Sequence, residues 1–172
     1  MNAIRAEAIA TRRLDLLPLL VEHADEMVTV LSDPALHTFI GGAPDTAEAL
    51  RSRYRLMVAG APDPAVHWLN WVIYLREEAC LTGTVQATIG PTGDGLVAEI
   101  AWVVGTPWQG RGIATEAAQG LVAWLGEQPV DGVVAHIHPE HRASAAVATA
   151  AGLTPTGGQQ EGEIRWRRRL GR

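Results

Sequence analysis

A chain of 172 residues, 47% apolar and 19% charged, has the composition of a globular protein. It is long enough to bury about 70% of its unfolded surface in one domain, 1–172, with its own core. A net charge of −5 argues against non-specific nucleic-acid binding, and no apolar run reaches the ~18 to 20 residues of a membrane helix. The N-terminal MNAIRAEAIATRRLDLL carries Glu7 and no long apolar stretch, so it reads as no signal peptide. The single cysteine, Cys80, rules out an intrachain disulfide, and the expected compartment is the cytoplasm.

In chain order, RRLDLLPL alternates around Leu14 and Leu16 as a strand does, and Pro18 ends it. VEHADEMVTVLSDP predicts a helix with Val21, Ala24, Val28 and Leu31 on one face, closed before Pro34. PDTAEALRSRYRLMVAG predicts a second helix, with Asp45 and Glu48 at capping-box spacing and Gly60 as its stop. HWLNWVIYL (67–75), LTGTVQATI (81–89) and LVAEIAWVV (96–104) predict three strands of an antiparallel meander with short links. A helix over about 112–126, a buried strand at 132–138, an alanine-rich helix at 143–152 and a last strand within 162–170 complete the order. The fold class is mixed α/β (α+β): an antiparallel front half with a β-α-β crossover behind it. The basic run RWRRRL reads as that last strand with solvated arginines.

The most informative stretch is WQGRGIATEAAQGLVAWL, Trp108 to Leu125, where Gly110 and Gly112 stand at the entrance to an apolar helix. A helix N-terminus exposes unpaired N–H groups and a partial positive charge, and glycines let a ligand approach the backbone. Together they make an anion site, most often for phosphate. A P-loop needs Gly-Lys-Ser/Thr where this chain has GIAT, and the dinucleotide fingerprint fails at Thr115 and at the preceding meander, so a nucleotide-binding oxidoreductase is poorly supported. Gln/Arg-x-x-Gly-x-Gly/Ala after a strand is filled by Gln109, Gly112 and Ala114.

That pattern resembles the acyl-CoA loop of the GNAT superfamily of N-acetyltransferases. The resemblance extends over roughly residues 11–156: TRRLDLLPL…DP, AEIAWVV before WQGRGIATEAA, and HPEHRASAAVATAAGL are similar to the RimJ/RimL-like branch. It implies a GNAT-like fold, with a central, mostly antiparallel twisted sheet of about six to seven strands, flanking helices and a central strand splayed from the next to hold the acetyl group. It also implies acetyl-CoA as cosubstrate and a primary amine, at a protein N-terminus or on a small molecule, as acceptor. The pyrophosphate would be held by the amides of Gly110, Arg111, Gly112, Ile113, Ala114 and Thr115 beside Gln109, and the pantetheine by the backbone of Val103 and Val104. Family members often dimerise through the sheet edge or C-terminal strand, and EIRWRRRL permits a homodimer.

Acetyl transfer needs a base, and Glu99, inside LVAEIAWVV where AE-I/V often carries the family's base, is the candidate, with burial expected to raise its pKa. The alternative is a strand glutamate facing solvent. The tyrosine that protonates the leaving thiolate in many relatives is replaced by Ala148, while Ser144 matches the serine of the RimJ/RimL branch. Where that branch has asparagine this chain has His141, which can donate similarly or titrate near pH 7. These two departures motivate the alternative of a non-catalytic acyl-CoA-binding module. No metal is expected, since His136, His138 and His141 read better as strand-end histidines beside the gap than as a zinc site. Cys80 has no basic neighbour in sequence and is not expected to carry an acyl group. The acceptor's surroundings are expected from the first helices, from TFIGGAPDT (38–46), from the loop near 60–67, and from Trp68 and Trp71.

Overall fold

The computed structural model describes residues 3–40 and 42–171. Met1, Asn2, Arg172 and Gly41, which sits inside the expected acceptor mouth, lie outside the described residues. The elements are β1 (Ile9–Ala10), β2 (Leu14–Pro18), α1 (Ala24–Val30), α2 (His37–Ile40), α3 (Ala47–Ala59), β3 (His67–Leu75), β4 (Cys80–Thr92), β5 (Gly95–Val104), α4 (Ile113–Gly126), β6 (Gly132–Ile137), α5 (Arg142–Ala150), β7 (Thr154–Gln160) and β8 (Glu163–Arg169). They form an eight-stranded sheet in the order β1-β2-β3-β4-β5-β6-β8-β7. Every pairing is antiparallel except β5 with β6. Two of the eight are not among the six strands named from the sequence: β1 has only two residues, and β7, TPTGGQQ, lacks the β-branched and aromatic pattern that marks a strand. Pairing with β8 makes β7 a strand.

One apolar cluster fills the space between the sheet and α4 and α5, from Leu14, Leu16 and Trp71 to Ile113, Leu121, Leu125 and Leu153. Trp71 and Trp124 meet edge to face there, with ring centroids 5.4 Å apart. A smaller cluster, with Leu19, Ala24, Met27, Val30, Leu50, Tyr54, Val72 and Leu81, seats α1 and α3 on the opposite face. The buried stripe of α1 is Ala24, Met27 and Val30, because a 3-10 turn at Val21–His23 precedes it and rotates the expected face. Thr46, not Asp45, caps α3 by accepting from the Ala49 N–H at 3.1 Å, and Gly60 ends it at φ +94°. Among the described residues no helix is long and apolar enough to cross a membrane.

Candidate active site

The parallel pairing of β5 and β6 runs only from Val97↔Gly132 to Glu99↔Val134. Beyond Glu99 the two strands separate while β5 continues to Val104 beside β4. A sheet that opens between parallel strands leaves the backbone groups on that side of β5 without a ladder partner, ready for a ligand. Strand alternation decides which residues these are. Leu96 C=O accepts from Asp131 on the β6 side at 2.7 Å, and the Gly105 N–H donates to Thr82 on the β4 side at 2.8 Å. Even-numbered Trp102 and Val104 therefore turn their peptide groups into the gap, and Val103 turns its own toward β4.

A cleft of about 450 Å³ follows the gap to the start of α4, within the range of small-ligand sites. Its walls include Val103, Val104, Gln109, Gly110, Gly112, Ile113, Ala114 and Thr115 from the strand and loop, and His141 and Ser144 from α5. Trp102 joins them from β5, and Ala35 and Leu36 close the cleft from the turn before α2. Gly110 and Gly112 have φ of +74° and +76°, conformations that favour glycine. The first helical bond of α4 runs from the Glu116 N–H to the Gly112 carbonyl at 3.0 Å, so the preceding amides project from the helix end. A Cβ on Gly110 would meet nothing within 4 Å. Open space, outward amides and a helix dipole form a cradle whose donors suit a diphosphate.

The cradle is tied down by residues that the sequence reading passed over. Glu116 accepts from the Arg13 N–H at 2.8 Å, from the Arg13 Nε at 2.7 Å and from the Thr11 hydroxyl. Burial would raise its carboxyl, but these bonds outweigh burial and hold it below the usual carboxylate range. Arg13 then donates to the Arg111 carbonyl at 3.0 Å. The Arg111 guanidinium pairs with Glu78, which also accepts from the Trp108 indole at 3.2 Å. The Arg111 and Trp108 bonds keep Glu78 below its ordinary value. Arg111 is thus the one predicted cradle residue absent from the cleft's walls, its charge already balanced. Gln109 donates from Nε2 to the Val104 carbonyl at 3.0 Å, fixing the loop to the end of β5. Asp33 accepts from the Thr106 hydroxyl at 2.7 Å and from the Ala35 N–H at 2.9 Å, anchoring the wall that carries Leu36. Separations of 30 to 105 residues hid the pairs made by Thr11, Arg13 and Glu78, and by Asp33 with Thr106.

Ser144 is 9% exposed. Its oxygen accepts from the Trp102 indole at 3.2 Å and stands 3.5 Å from His141 Nε2. It does not satisfy a backbone group as a first-turn serine commonly would. With the indole as donor, the hydroxyl proton can be directed to His141 Nε2 or into the cleft, according to the histidine's tautomer. Burial, then the neighbouring charge of His138, holds His141 below its ordinary value. Ala148 is fully buried.

Glu99 departs from the expected burial. Its side chain is 51% exposed and pairs with His136 Nδ1 at 2.7 Å. The physical reason is the sheet's two faces: Ala98, Ile100 and Trp102 pack toward α4 and α5, which sends Val97, Glu99, Ala101 and Val103 to the other face. A cavity of about 200 Å³ lies there beneath α1, α2 and α3, walled by Leu36, Asp45, Tyr54, Trp71, Gln86 and Val103 among others. Leu36 and Val103 border both this cavity and the cleft. Asp45 stands among the cavity's walls, and Trp71 borders it although its ring packs on the opposite face against Trp124. Trp68 and the loop near 60–67 line a groove with Ala3–Ala6 that shares Leu19, Met57 and Asn70 with this cavity. Cys80 is half-buried, with burial first and Glu78 next raising its thiol, which disfavours the reactive thiolate. His138 Nδ1 accepts from the Glu140 N–H at 3.1 Å. Among the described residues no three His, Cys, Asp or Glu side chains gather as a metal site.

Residues 13–154 match the acetyltransferase (GNAT) domain family. No curated protein sequence matches the chain at a significant level. Among solved structures, an acetyltransferase (GNAT family) from Bacillus anthracis is 20% identical with a TM-score of 0.78, covering 95% of this chain and 99% of that one. RimL, the ribosomal L7/L12 alpha-N-protein acetyltransferase in complex with coenzyme A, is 18% identical with a TM-score of 0.80, covering 95% and 98%. The microcin C7 self-immunity acetyltransferase MccE, in complex with acetyl-CoA and AMP, is 17% identical with a TM-score of 0.75, covering 93% and 94%. At these identities the likeness establishes the fold.

Proposed function

The chain belongs to the acetyltransferase (GNAT) domain family, and on that premise we propose that this acetyl-CoA-dependent N-acetyltransferase passes the acetyl group directly to a primary amine in a ternary complex. The observation that carries the reading is the shared wall: Val103 and Leu36 border the glycine-lined cleft on one side and the acceptor cavity on the other. The cradle at 110–115 holds the pyrophosphate, and the inward-turned Trp102 groups and the Val104 N–H, whose carbonyl Gln109 already occupies, hold the pantetheine. Acetyl-CoA supplies an activated thioester. Its carbonyl carbon forms a bond to the amine nitrogen as the C–S bond breaks.

Two protons must move. Glu99, which lines neither the cleft nor the cavity, takes the one from the amine through intervening water. It shares a sheet face with Val103, four residues or about 13 Å along the strand, and Ala101 between them leaves that face uncluttered. His136 keeps the carboxylate oriented at 2.7 Å. Ser144 supplies the other proton to the leaving thiolate, its oxygen held by the Trp102 indole. A positioned base contributes about 10²–10⁴-fold. Glu99→Gln should therefore lower kcat by that factor while calorimetric affinity for acetyl-CoA stays unchanged. Unchanged kcat would remove Glu99 from the mechanism.

A further inference from the structure

The cavity behind Val103 holds a group that acetyl transfer does not use. Tyr54 lines it and is 3% exposed, and among the described residues nothing hydrogen-bonds its hydroxyl. A buried hydroxyl without a partner is costly and is rarely kept without a use. Burial is the main cause that pushes its ionisation up to about 12, so it is a neutral donor and acceptor at any working pH. Leu19, Val28, Leu50 and Met57 give the cavity apolar walls, and His37, Asn70, Thr84 and Gln86 are among its other polar ones. Its one carboxylate, Asp45, is already paired with Arg53 at 3.1 Å, so no unbalanced negative charge awaits a polycation. A volume of about 200 Å³ falls below the ~300–1,000 Å³ of whole-ligand sites and suits one side-chain-sized group.

We propose that this cavity selects the acceptor: the amine arrives on one apolar arm, aromatic or branched, that ends in a single hydrogen-bonding group, and Tyr54 pairs with that group. This deepens the acetyltransferase reading above and rests on it. The same arm could belong to a free amine or to the first residue of a peptide.

The test compares matched acceptors that differ only at the arm's end: tyramine against phenethylamine, and short peptides beginning with tyrosine against phenylalanine. Spermidine stands for the polycations. The wild-type protein is expected to favour the hydroxyl-ended member of at least one pair by about 10-fold or more in kcat/KM, and the pair that responds identifies the source. Tyr54→Phe removes only an unpartnered group, so the variant should fold, bind acetyl-CoA as before and lose the preference while retaining the phenyl-ended acceptor. Spermidine should be the poorest substrate. Equal use of both members of each pair, a preference that survives Tyr54→Phe, or spermidine as the best acceptor overturns the proposal and leaves acetyl transfer standing. Tight acetyl-CoA binding with no amine acetylated overturns both readings.

Discussion

Replacing Glu116 by glutamine tests how the cofactor cradle is held. The carboxylate is 18% exposed and receives the Arg13 Nε at 2.7 Å, the Arg13 N–H at 2.8 Å and the Thr11 hydroxyl. Glutamine keeps one acceptor oxygen and turns an NH₂ group toward donors, so one charge-assisted bond disappears and the others become neutral. Such bonds contribute about 1.5–3 kcal/mol when charged and about 0.5–1.5 kcal/mol when neutral. Discounted for the partial exposure of Arg13, the net loss is about 2 kcal/mol. For a chain of this length that lowers Tm by about 4–8 °C. The sign with pH follows from the depressed carboxyl. The stabilisation is fully present above the ordinary glutamate pKa of about 4.3 and fades as pH falls through the lower folded value. Denaturant unfolding of both proteins at pH 7 and pH 3 should show a gap that is wide at the first and narrow at the second. A gap below about 0.5 kcal/mol at pH 7, or one of equal size at pH 3, would refute the assignment of Glu116 as the loop's anchor.

Three other outcomes are expected. Gly112→Ala puts a Cβ on a residue with φ of +76°, 3.3 Å from the Arg13 Nη2. It should cost about 1–2 kcal/mol in unfolding free energy and weaken acetyl-CoA binding at least ~10-fold by calorimetry, a loss of about 1.4 kcal/mol. Ser144→Ala leaves the Trp102 indole N–H without its acceptor. It should destabilise by about 1–3 kcal/mol and lower kcat more than it weakens acetyl-CoA binding, whereas equal kcat would exclude the serine as proton donor. His141, held below its ordinary value by burial and by His138, should titrate by NMR below about 6.5. Because its folded pKa is depressed, wild type should lose stability relative to His141→Gln as pH falls from 7 toward 5, and a gain would contradict the sign.

The sequence by itself determined the elements whose chemistry is local. The strand HWLNWVIYL matches β3 at both ends, and the glycine entrance and apolar run of α4 begin within a residue of the expected boundary. Backbone conformation at Gly110 and Gly112 depends on the missing Cβ, so residue type sufficed there. The cleft also gathers Ser144 and His141 with that loop, as the spaced motifs implied. Tertiary structure decided what depends on distant partners. β7 is a strand only because β8 pairs with it. Arg13 reaches Glu116 across 103 residues, a separation at which no periodicity speaks. Glu99 looked buried in an apolar run, yet the two faces of one strand meet different layers: α4 and α5 cover Ile100 and Trp102, while Glu99 faces His136 and solvent. Which face stays open is set by where the helices pack, and that depends on the whole chain.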